Sequence, residues 1–321
     1  MSDRSAAPAP DHAHSPCLMT ATRPQRLLIS GGRGRLAPLI ADCFPPPAHE
    51  VVLYSRSPGD GYRDLVHLTN PADLSGADAL LHLAWSTLPA TSEQSPGTEE
   101  QQDLPYLEKL LAGLAALPGA KRPHFLFFSS GGAVYGNAPG QPSLETDTCH
   151  PIGRYGRAKL AAEEMIRAAV ARHELPCTIL RISNPYGFPV PSGRAQGIIP
   201  HAIRAALEAR TLTLWGDGHA RKDFIHYTDF LAALRAVLTR RLTGTFNLGA
   251  GESHSVLEIL ALVQKHTGRK VATVTTPAPV WDVQDSRLDV GRLRTATGWS
   301  PRTNLDEGIR RATAGSRPPC P

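Results

Sequence analysis

The sequence predicts an α/β fold in which a doubly wound parallel sheet is joined to a smaller, interleaved C-terminal α/β domain. Three observations predict it: short apolar runs, helix-patterned segments between them, and a glycine-rich turn directly after the first run. Strands that are buried on both faces of a parallel sheet read as nearly continuous apolar runs. Their alternation with helices predicts right-handed crossovers that cover both faces of the sheet.

Five apolar runs are the predicted strands of the main sheet, and they lie at 26–30, 50–55, 79–84, 124–130 and 177–183. The helix-patterned segments between them lie at 34–43, 99–117 and 153–173. Beyond residue 188 the pattern predicts a helix at 200–210, strands at 211–216 and 244–249, and a helix at 255–268. Ser255 is suited to cap the start of this last helix, and Gly268 is suited to end it.

These elements predict a division of the chain into two domains and two tails. The first domain, for binding a nucleotide, covers 25–187, and the segment 226–250 returns to its sheet. The second domain, for binding a substrate, is formed by 188–225 and 251–312. Residues 1–24 and 313–321 are rich in alanine, proline and polar residues, which predicts disordered tails.

Composition narrows the function classes. The chain has 34 basic and 29 acidic residues, and the basic residues are spread along it. A nucleic-acid surface requires a cluster, so we expect no nucleic-acid partner. The chain has no run of about 18 apolar residues, so we expect no membrane span. The five cysteines are widely spaced and odd in number, which is typical of a reducing compartment. We therefore expect a cytoplasmic protein without a metal site.

The stretch SGGRGRLAPLI begins where the first predicted strand ends and a helix begins. In that context glycines allow the backbone to approach a pyrophosphate at the start of the helix. The motif has the spacing G-x-x-G-x-x-G. Gly31 and Gly34 take its first two positions, and Ala37 takes the third, where a small residue still permits close packing of helix on strand. The turn predicts a dinucleotide cofactor, and a tight turn without a ligand is the alternative.

The end of the second strand bears on which dinucleotide is used. An acidic residue there would bind the ribose hydroxyls of NAD, but the sequence reads VVLYSRSP and offers Arg56. A guanidinium can pair with the 2′-phosphate of NADP. NAD and NADP both remain open, and an arginine that is merely exposed after a strand is the alternative.

Tyr155 and Lys159 lie four residues apart in the helix predicted at 153–173. This spacing places both side chains on one helix face. A phenol has a pKa near 10 and is a poor base at neutral pH, and a neighbouring ammonium lowers that pKa because it favours the phenolate. The pair is therefore suited to take a proton from a substrate alcohol while hydride leaves its carbon. An exposed pair on a helix surface is the alternative.

Several stretches together resemble the extended short-chain dehydrogenase/reductase family, and most closely its NAD-dependent sugar epimerases and dehydratases, of which UDP-glucose 4-epimerase is a member. They are SGGRGRLA, LLHLAW, FFSSGGAVYG, RYGRAK and LRISNPYG, followed by WGDGHARKDFIHYTDF and FNLGAGES. Their order and spacing agree over about residues 25–312. The resemblance implies a Rossmann fold, NAD or NADP as cofactor, and a nucleotide-sugar as substrate.

The resemblance also implies roles for particular residues. Tyr155 would be the catalytic acid and base, and Lys159 its partner. Besides this pair and the glycine turn, Ala84, Asn184 and Tyr186 would contact the cofactor. The substrate would be contacted by Gln196, Ile198, Arg221 and Lys222.

The sequence departs from the family at three places. The hydroxyl residue expected four positions before the tyrosine of VYG is Gly131, and Ser130 is the nearest candidate for its role. The Asp–Glu pair that a dehydratase needs is replaced by Gly132 and Ala133, so dehydration is not expected. The arginine expected before DV, where it would pair with the substrate's diphosphate, is absent from the stretch PAPVWDV.

Three functions remain open. The first is an NAD(P)-dependent epimerase that oxidises a nucleotide-sugar to a keto intermediate and returns the hydride. The second is an NADP-dependent reductase of a keto sugar or another carbonyl, which Arg56 favours. The third is a non-catalytic NAD(P) sensor, which the missing hydroxyl favours and the Tyr155–Lys159 pair opposes. The helices at 99–117 and 153–173 could also form the interface of a homodimer.

Overall fold

The computed structural model describes residues 23–138, 140–188 and 197–315. The prediction for Gln196 and most of the two predicted tails lie outside these ranges. The strands are β1 Gln25–Ser30, β2 His49–Ser55, β3 Tyr62–Asp64, β4 Ala79–His82, β5 His124–Ser130, β6 Cys177–Ile182, β7 Asn184–Tyr186, β8 Leu212–Trp215, β9 Arg221–His226, β10 Gly244–Leu248, β11 Ser253–Ser255 and β12 Thr273–Thr276.

The α-helices are α1 Leu36–Asp42, α2 Pro71–Leu74, α3 Pro89–Gln94, α4 Leu104–Ala116, α5 Gly131–Val134, α6 Arg154–His173, α7 Ile198–Glu208, α8 Tyr227–Arg240, α9 Val256–Thr267, α10 Gly291–Thr297 and α11 Leu305–Gly315. A π-helical turn, Glu99–Asp103, runs directly into α4. Among the described residues, no helix is long and apolar enough to cross a membrane.

The main sheet has seven parallel strands in the order β10-β6-β5-β4-β1-β2-β3. The predicted doubly wound parallel sheet is therefore confirmed. The order reverses between β1 and β4, and a sheet of this kind opens a crevice outside the carboxyl ends of its strands at that point. The glycine turn follows β1, so it lies at the crevice.

Apolar side chains fill both faces of this sheet, as the continuous runs predicted. On β5, Leu126 and Phe128 belong to the core beneath α1 and α8. Phe125 and Phe127 belong to the core beneath α4 and α6. Because side chains alternate between the two faces of β5, this one buried strand packs against both layers of helices.

Two smaller sheets, β11-β9-β7 and β12-β8, lie with α7, α9 and α11 around a third apolar core. β7 follows β6 after a single residue, and β10 joins the main sheet next to β6. The chain thus passes between the sheets more than once. The proposed division into two domains stays a prediction.

Several predicted boundaries are wrong. The strand predicted at 79–84 ends at His82, because the next two N–H groups donate to the Ser30 hydroxyl instead of extending the ladder. The predicted tail 313–321 begins too early, because α11 continues to Gly315 and buries Thr313. The predicted tail 1–24 ends too late, because Arg23 pairs with Asp78.

Candidate active site

The glycine turn packs directly against the chain that leaves β4. Gly31 has a φ of +74°, and a Cβ at this position would lie 2.9 Å from the main-chain nitrogen of Ala84. The Gly34 N–H donates to the Gly31 carbonyl at 2.7 Å, and Ala37 is fully buried. The structure therefore brings together these four predicted cofactor residues, and the first of them must be glycine for both conformational and steric reasons.

A buried hydroxyl fixes the chain after β4. Ser30 Oγ accepts hydrogen bonds from the N–H groups of Leu83 and Ala84, at 3.0 and 3.1 Å. Its own proton therefore goes to His82 Nδ1, 2.8 Å away, and the imidazole must be neutral. Burial and the charge of Lys159 lower the pKa of His82 to about 3, which keeps it neutral.

A cavity of about 360 Å³ lies beside Ala84, the residue against which the glycine turn packs. Its wall includes Arg56 after β2, Asp64 and Leu65 at the end of β3, and Ala84 and Trp85 after β4. Its position at the switch point of the sheet is that of a dinucleotide site. The tight approach at the glycine turn and the cavity both fit such a ligand, and so does the buried indole N–H of Trp85, which has no acceptor in the part of the chain that the structure describes.

The Arg56 guanidinium reaches across this cavity from the end of β2. It donates to Ser86 Oγ at 2.8 Å and to Gln102 Oε1 at 3.2 Å. Both partners are neutral, so a phosphate could take their place.

Tyr155 and Lys159 lie next to each other at the start of α6. The Lys159 Nζ is 5.8 Å from the centre of the Tyr155 ring, and it donates to the Phe128 carbonyl of β5 at 2.9 Å. The two side chains therefore lie together on one face of α6, as their four-residue spacing predicts. Lys159 is buried, which lowers its pKa to about 7 against the opposing charges of nearby carboxylates.

The prediction that the ammonium of Lys159 lowers the pKa of Tyr155 is wrong. The pKa of Tyr155 is raised, first by burial and then by the negative charges of Glu99 and Asp103. Spacing within one helix could not reveal these two carboxylates, because they come from another element. The ammonium that was expected to lower this pKa is held by the Phe128 carbonyl and by the face of Trp85, whose centre lies 3.7 Å from Nζ.

The two carboxylates belong to the π-helical turn before α4, and sequence reasoning missed both. Glu99 is 1% exposed and accepts a hydrogen bond from Thr87 Oγ1. Asp103 accepts from the Ser86 N–H at 3.0 Å and from Ser86 Oγ at 2.8 Å, and burial raises its pKa. π-Helical turns are rare and often lie at functional sites. No spacing in the sequence signals this one.

The structure does not bring Ser130 to the pair. Ser129 Oγ donates to Glu163 of α6 at 2.6 Å, so side chains alternate such that Ser130 faces the opposite side of β5. Ser130 pairs in register with Ile182, which lies in the core beneath α8. The catalytic role of Ser130 therefore stays a prediction that its place in this structure does not favour.

Leucine fills the space beside the missing hydroxyl. A Cβ at Gly131 would lie 2.6 Å from Leu288 Cδ1. A Cβ at Gly132 would lie 3.7 Å from Asn184 Nδ2, so Asn184 is adjacent to this turn. Asn184 Nδ2 donates to the Asp223 carbonyl at 2.9 Å.

The side chain of Tyr186, a predicted cofactor contact, packs in the third apolar core. It is 4% exposed and packs its hydroxyl against Gly308 of α11. Burial raises the pKa of Tyr186. β7 is a short strand of the second sheet, which turns this side chain toward α11.

The two predicted phosphate contacts already have partners within the chain. Arg221 donates to the Ser253 carbonyl at 2.6 Å, and Lys222 pairs with Asp282 at 3.0 Å. Ile198 begins α7 and packs against the third core.

A buried ion network ties α6 to the sheet. Glu163, one helical turn after Lys159, is fully buried and accepts from Arg181 Nη2 of β6 at 2.8 Å. Arg181 Nη1 donates to the Tyr135 hydroxyl at 2.9 Å, which donates to Asn247 of β10 at 2.7 Å. Because Glu163 also accepts from Ser129 of β5, the network joins one helix to three strands of the sheet.

A second contact holds the first turn of α6. Gly153 precedes the helix and offers no capping side chain. Glu93 of α3 supplies the cap, because its Oε1 accepts from the Arg154 N–H at 2.6 Å. Tyr155 is the next residue, so the cap acts where the tyrosine is placed.

The fold and this crevice define an α/β enzyme of the dinucleotide-dependent class. The family model described as "NAD dependent epimerase/dehydratase family" matches residues 27–249, so the chain belongs to that family. The resemblance read from the sequence motifs is confirmed.

The chain is similar to known enzymes over most of its length. It is 27% identical to the UDP-glucose 4-epimerase of Mycolicibacterium smegmatis over 304 residues, which is 88% of this chain and 96% of the relative. It is 29% identical to the dTDP-6-deoxy-L-talose 4-dehydrogenase (NAD(P)(+)) of Kitasatospora kifunensis, covering 90% and 95% of the two chains. The solved structure of MoeE5 in complex with UDP-glucose and NAD superimposes with a TM-score of 0.80, at 26% identity, covering 91% and 98%.

Proposed function

We propose that this protein is an NAD(P)-dependent epimerase that acts on a nucleotide-sugar. The observation that carries the proposal is the Tyr155–Lys159 pair, held side by side at the start of α6 and next to the crevice of the glycine turn. Tyr155 takes a proton from a sugar hydroxyl as hydride leaves the same carbon, and it returns the proton after the hydride has come back to the other face.

The proposed cofactor site consists of the glycine turn with Ala84, and of Arg56, which also lines the cavity. When bound, the oxidised cofactor accepts hydride and brings a positive charge to the crevice. The chain's own groups around Tyr155 raise its pKa, so this added charge is what favours the phenolate. Arg56 favours NADP because its present acceptors are neutral.

The sugar's carrier group is proposed to lie near β9. Lys222 and Arg221 are the cations that would approach its phosphates, and Lys222 would exchange Asp282 for a phosphate oxygen. The relatives that act on UDP- and dTDP-sugars support a nucleoside diphosphate carrier.

An NADP-dependent dehydrogenase or reductase of a keto sugar is the second candidate. Arg56 and the 29% identity to a talose 4-dehydrogenase favour it. Both candidates use the same tyrosine, so they differ in whether the cofactor is consumed.

The test is incubation of the purified protein with UDP- and dTDP-hexoses in the presence of NAD or NADP. NMR follows the sugar configuration, and the absorbance of reduced nicotinamide follows the cofactor. An epimer formed without net cofactor reduction supports the proposal, whereas steady cofactor turnover favours the dehydrogenase. Tyr155→Phe should lower turnover by at least about 100-fold while the dissociation constant of the dinucleotide changes little. Turnover that stays near the wild-type value in this variant would refute the role of Tyr155.

A further inference from the structure

Trp85 follows Ala84 directly and lies between the cavity and the catalytic lysine. The Lys159 Nζ is 3.7 Å from the centre of its ring, compared with 4.9 Å for Phe127 and 5.8 Å for Tyr155. This distance is well within the range of a cation–π interaction, and tryptophan is the strongest side chain for it. Among these three rings, Trp85 therefore makes the closest contact with the ammonium.

A buried cation needs compensation for the water that it loses. Lys159 is 4% exposed, and its hydrogen bond goes to the main-chain carbonyl of Phe128. The carboxylates of Asp103, Glu163 and Glu99 act on it only through space. The indole face therefore offsets part of the hydration that the ammonium loses on burial. In many buried sites a carboxylate in direct contact does this.

The edge of the same indole carries a donor that has no acceptor among the described residues. Trp85 Nε1 is buried, and the side chain forms part of the wall of the 360 Å³ cavity. Buried donors in folded proteins are almost always paired, so this donor is available to an oxygen of a ligand that binds in the adjoining cavity.

We propose that Trp85 is a positioning residue that joins the cofactor site to the catalytic lysine. Its ring face holds the ammonium of Lys159 in its charged form beside Tyr155. Its N–H donates to an oxygen of the dinucleotide bound in the cavity. This second half rests on the proposed function, and the first half does not.

Two variants separate the two halves. Trp85→Phe keeps an aromatic face but has no N–H, and Trp85→Leu has a similar apolar volume but neither feature. Trp299→Phe is the matched control, because Trp299 is also buried with an unpaired Nε1 but lies in the core on the opposite face of the sheet. Urea midpoints close to wild type establish that each variant folds.

The first readout is the pKa of Lys159, measured by NMR from the Cε shift of protein labelled at its six lysines. The groups that face this ammonium are Glu163 and Tyr155 on its own helix, Asp103 and Glu99 on the π-helical turn, and His82 on β4. All of them are unchanged in the variants. We expect Trp85→Phe and Trp299→Phe to keep the wild-type pKa, and Trp85→Leu to lower it by about one. Equal values in the Phe and Leu variants at position 85 would overturn the first half.

The second readout is the dissociation constant of NAD and NADP, measured by calorimetry without turnover. Loss of one hydrogen bond should weaken binding about five- to tenfold in both variants at position 85 and not in Trp299→Phe. Wild-type affinity in Trp85→Phe would overturn the second half. A protein that binds neither dinucleotide would refute the second half and the proposed function together, but the comparison of lysine pKa values would stand.

Discussion

Replacing Glu163 by glutamine removes the negative charge at the centre of the network that ties α6 to the sheet. The carboxylate is fully buried, and Arg181 opposite it is 3% exposed. Glutamine has almost the same shape, so the substitution changes charge and hydrogen bonding but not packing. Its amide NH₂ would face the N–H groups of Arg181, where the second carboxylate oxygen now accepts.

The expected cost follows from these contacts. Removing one partner of a buried ion pair costs about 3–5 kcal/mol, because the other charge stays buried without compensation. Glu163 also pairs with Arg167. Loss of this second ion pair adds little to the cost, because the Arg167 side chain is 44% exposed and water screens the pair. We therefore expect Glu163→Gln to lower the free energy of unfolding by about 3–5 kcal/mol.

The assay is urea unfolding followed by both circular dichroism and tryptophan fluorescence, since a chain of this length need not unfold in one step. Glu164→Gln is the matched control, because Glu164 is the next residue on the same helix and is exposed. Its effect should be within about 0.5 kcal/mol. A cost for Glu163→Gln that lies within about 1 kcal/mol of this control would refute the assignment of the pair as the tie between α6 and β6.

Two further predictions concern the cofactor and the first turn of α6. Arg56→Ala should weaken NADP binding about 10- to 100-fold in a calorimetric titration and NAD binding about twofold, because only NADP offers a phosphate for the guanidinium. Equal losses for both would contradict this. Glu93→Ala should cost about 1 kcal/mol of stability and speed amide exchange at the start of α6, because it removes the cap on the Arg154 N–H. Arg154→Ala keeps that N–H and loses only a half-exposed ion pair, so it should cost less than about 0.5 kcal/mol. Equal costs would contradict the cap.

The sequence predicted well those elements that are specified locally. The strand at 124–130 is found at His124–Ser130, and the helix at 153–173 is found at Arg154–His173. The last predicted helix is Val256–Thr267, with Ser255 and Glu258 forming a capping box and Gly268 ending it at a φ of +69°. In each case the residue pattern that predicts the element lies within it or directly beside it, so the element could be recognised from its own stretch of sequence.

Short elements that depend on distant partners were missed. β3 has three residues, Tyr62–Asp64, and is a strand because it pairs with the end of β2. β9 begins with the charged pair Arg221–Lys222, which gives no apolar run, and its ladder partners are β7 and β11. Such strands form only after the rest of the chain has placed their neighbours, so their own sequences carry little signal.

Helix α6 shows the same limit in its chemistry. The spacing of Tyr155 and Lys159 correctly placed two side chains together, because one turn of helix decides that distance. Their protonation depends on the whole environment: Glu99 and Asp103 face the phenol, and Trp85 faces the ammonium. The pKa of the tyrosine consequently moves in the direction opposite to the one predicted.

The missing hydroxyl at Gly131 can be understood in the same terms. The sequence shows that the hydroxyl is absent, but only the structure shows that Leu288 closes the space from the C-terminal part of the chain. A serine at this position would place its Cβ 2.6 Å from Leu288 Cδ1, so restoring the hydroxyl alone would force this side chain to move. The glycine and the leucine therefore act as one packing unit, and the role proposed for Tyr155 has to be filled without a hydroxyl at that position.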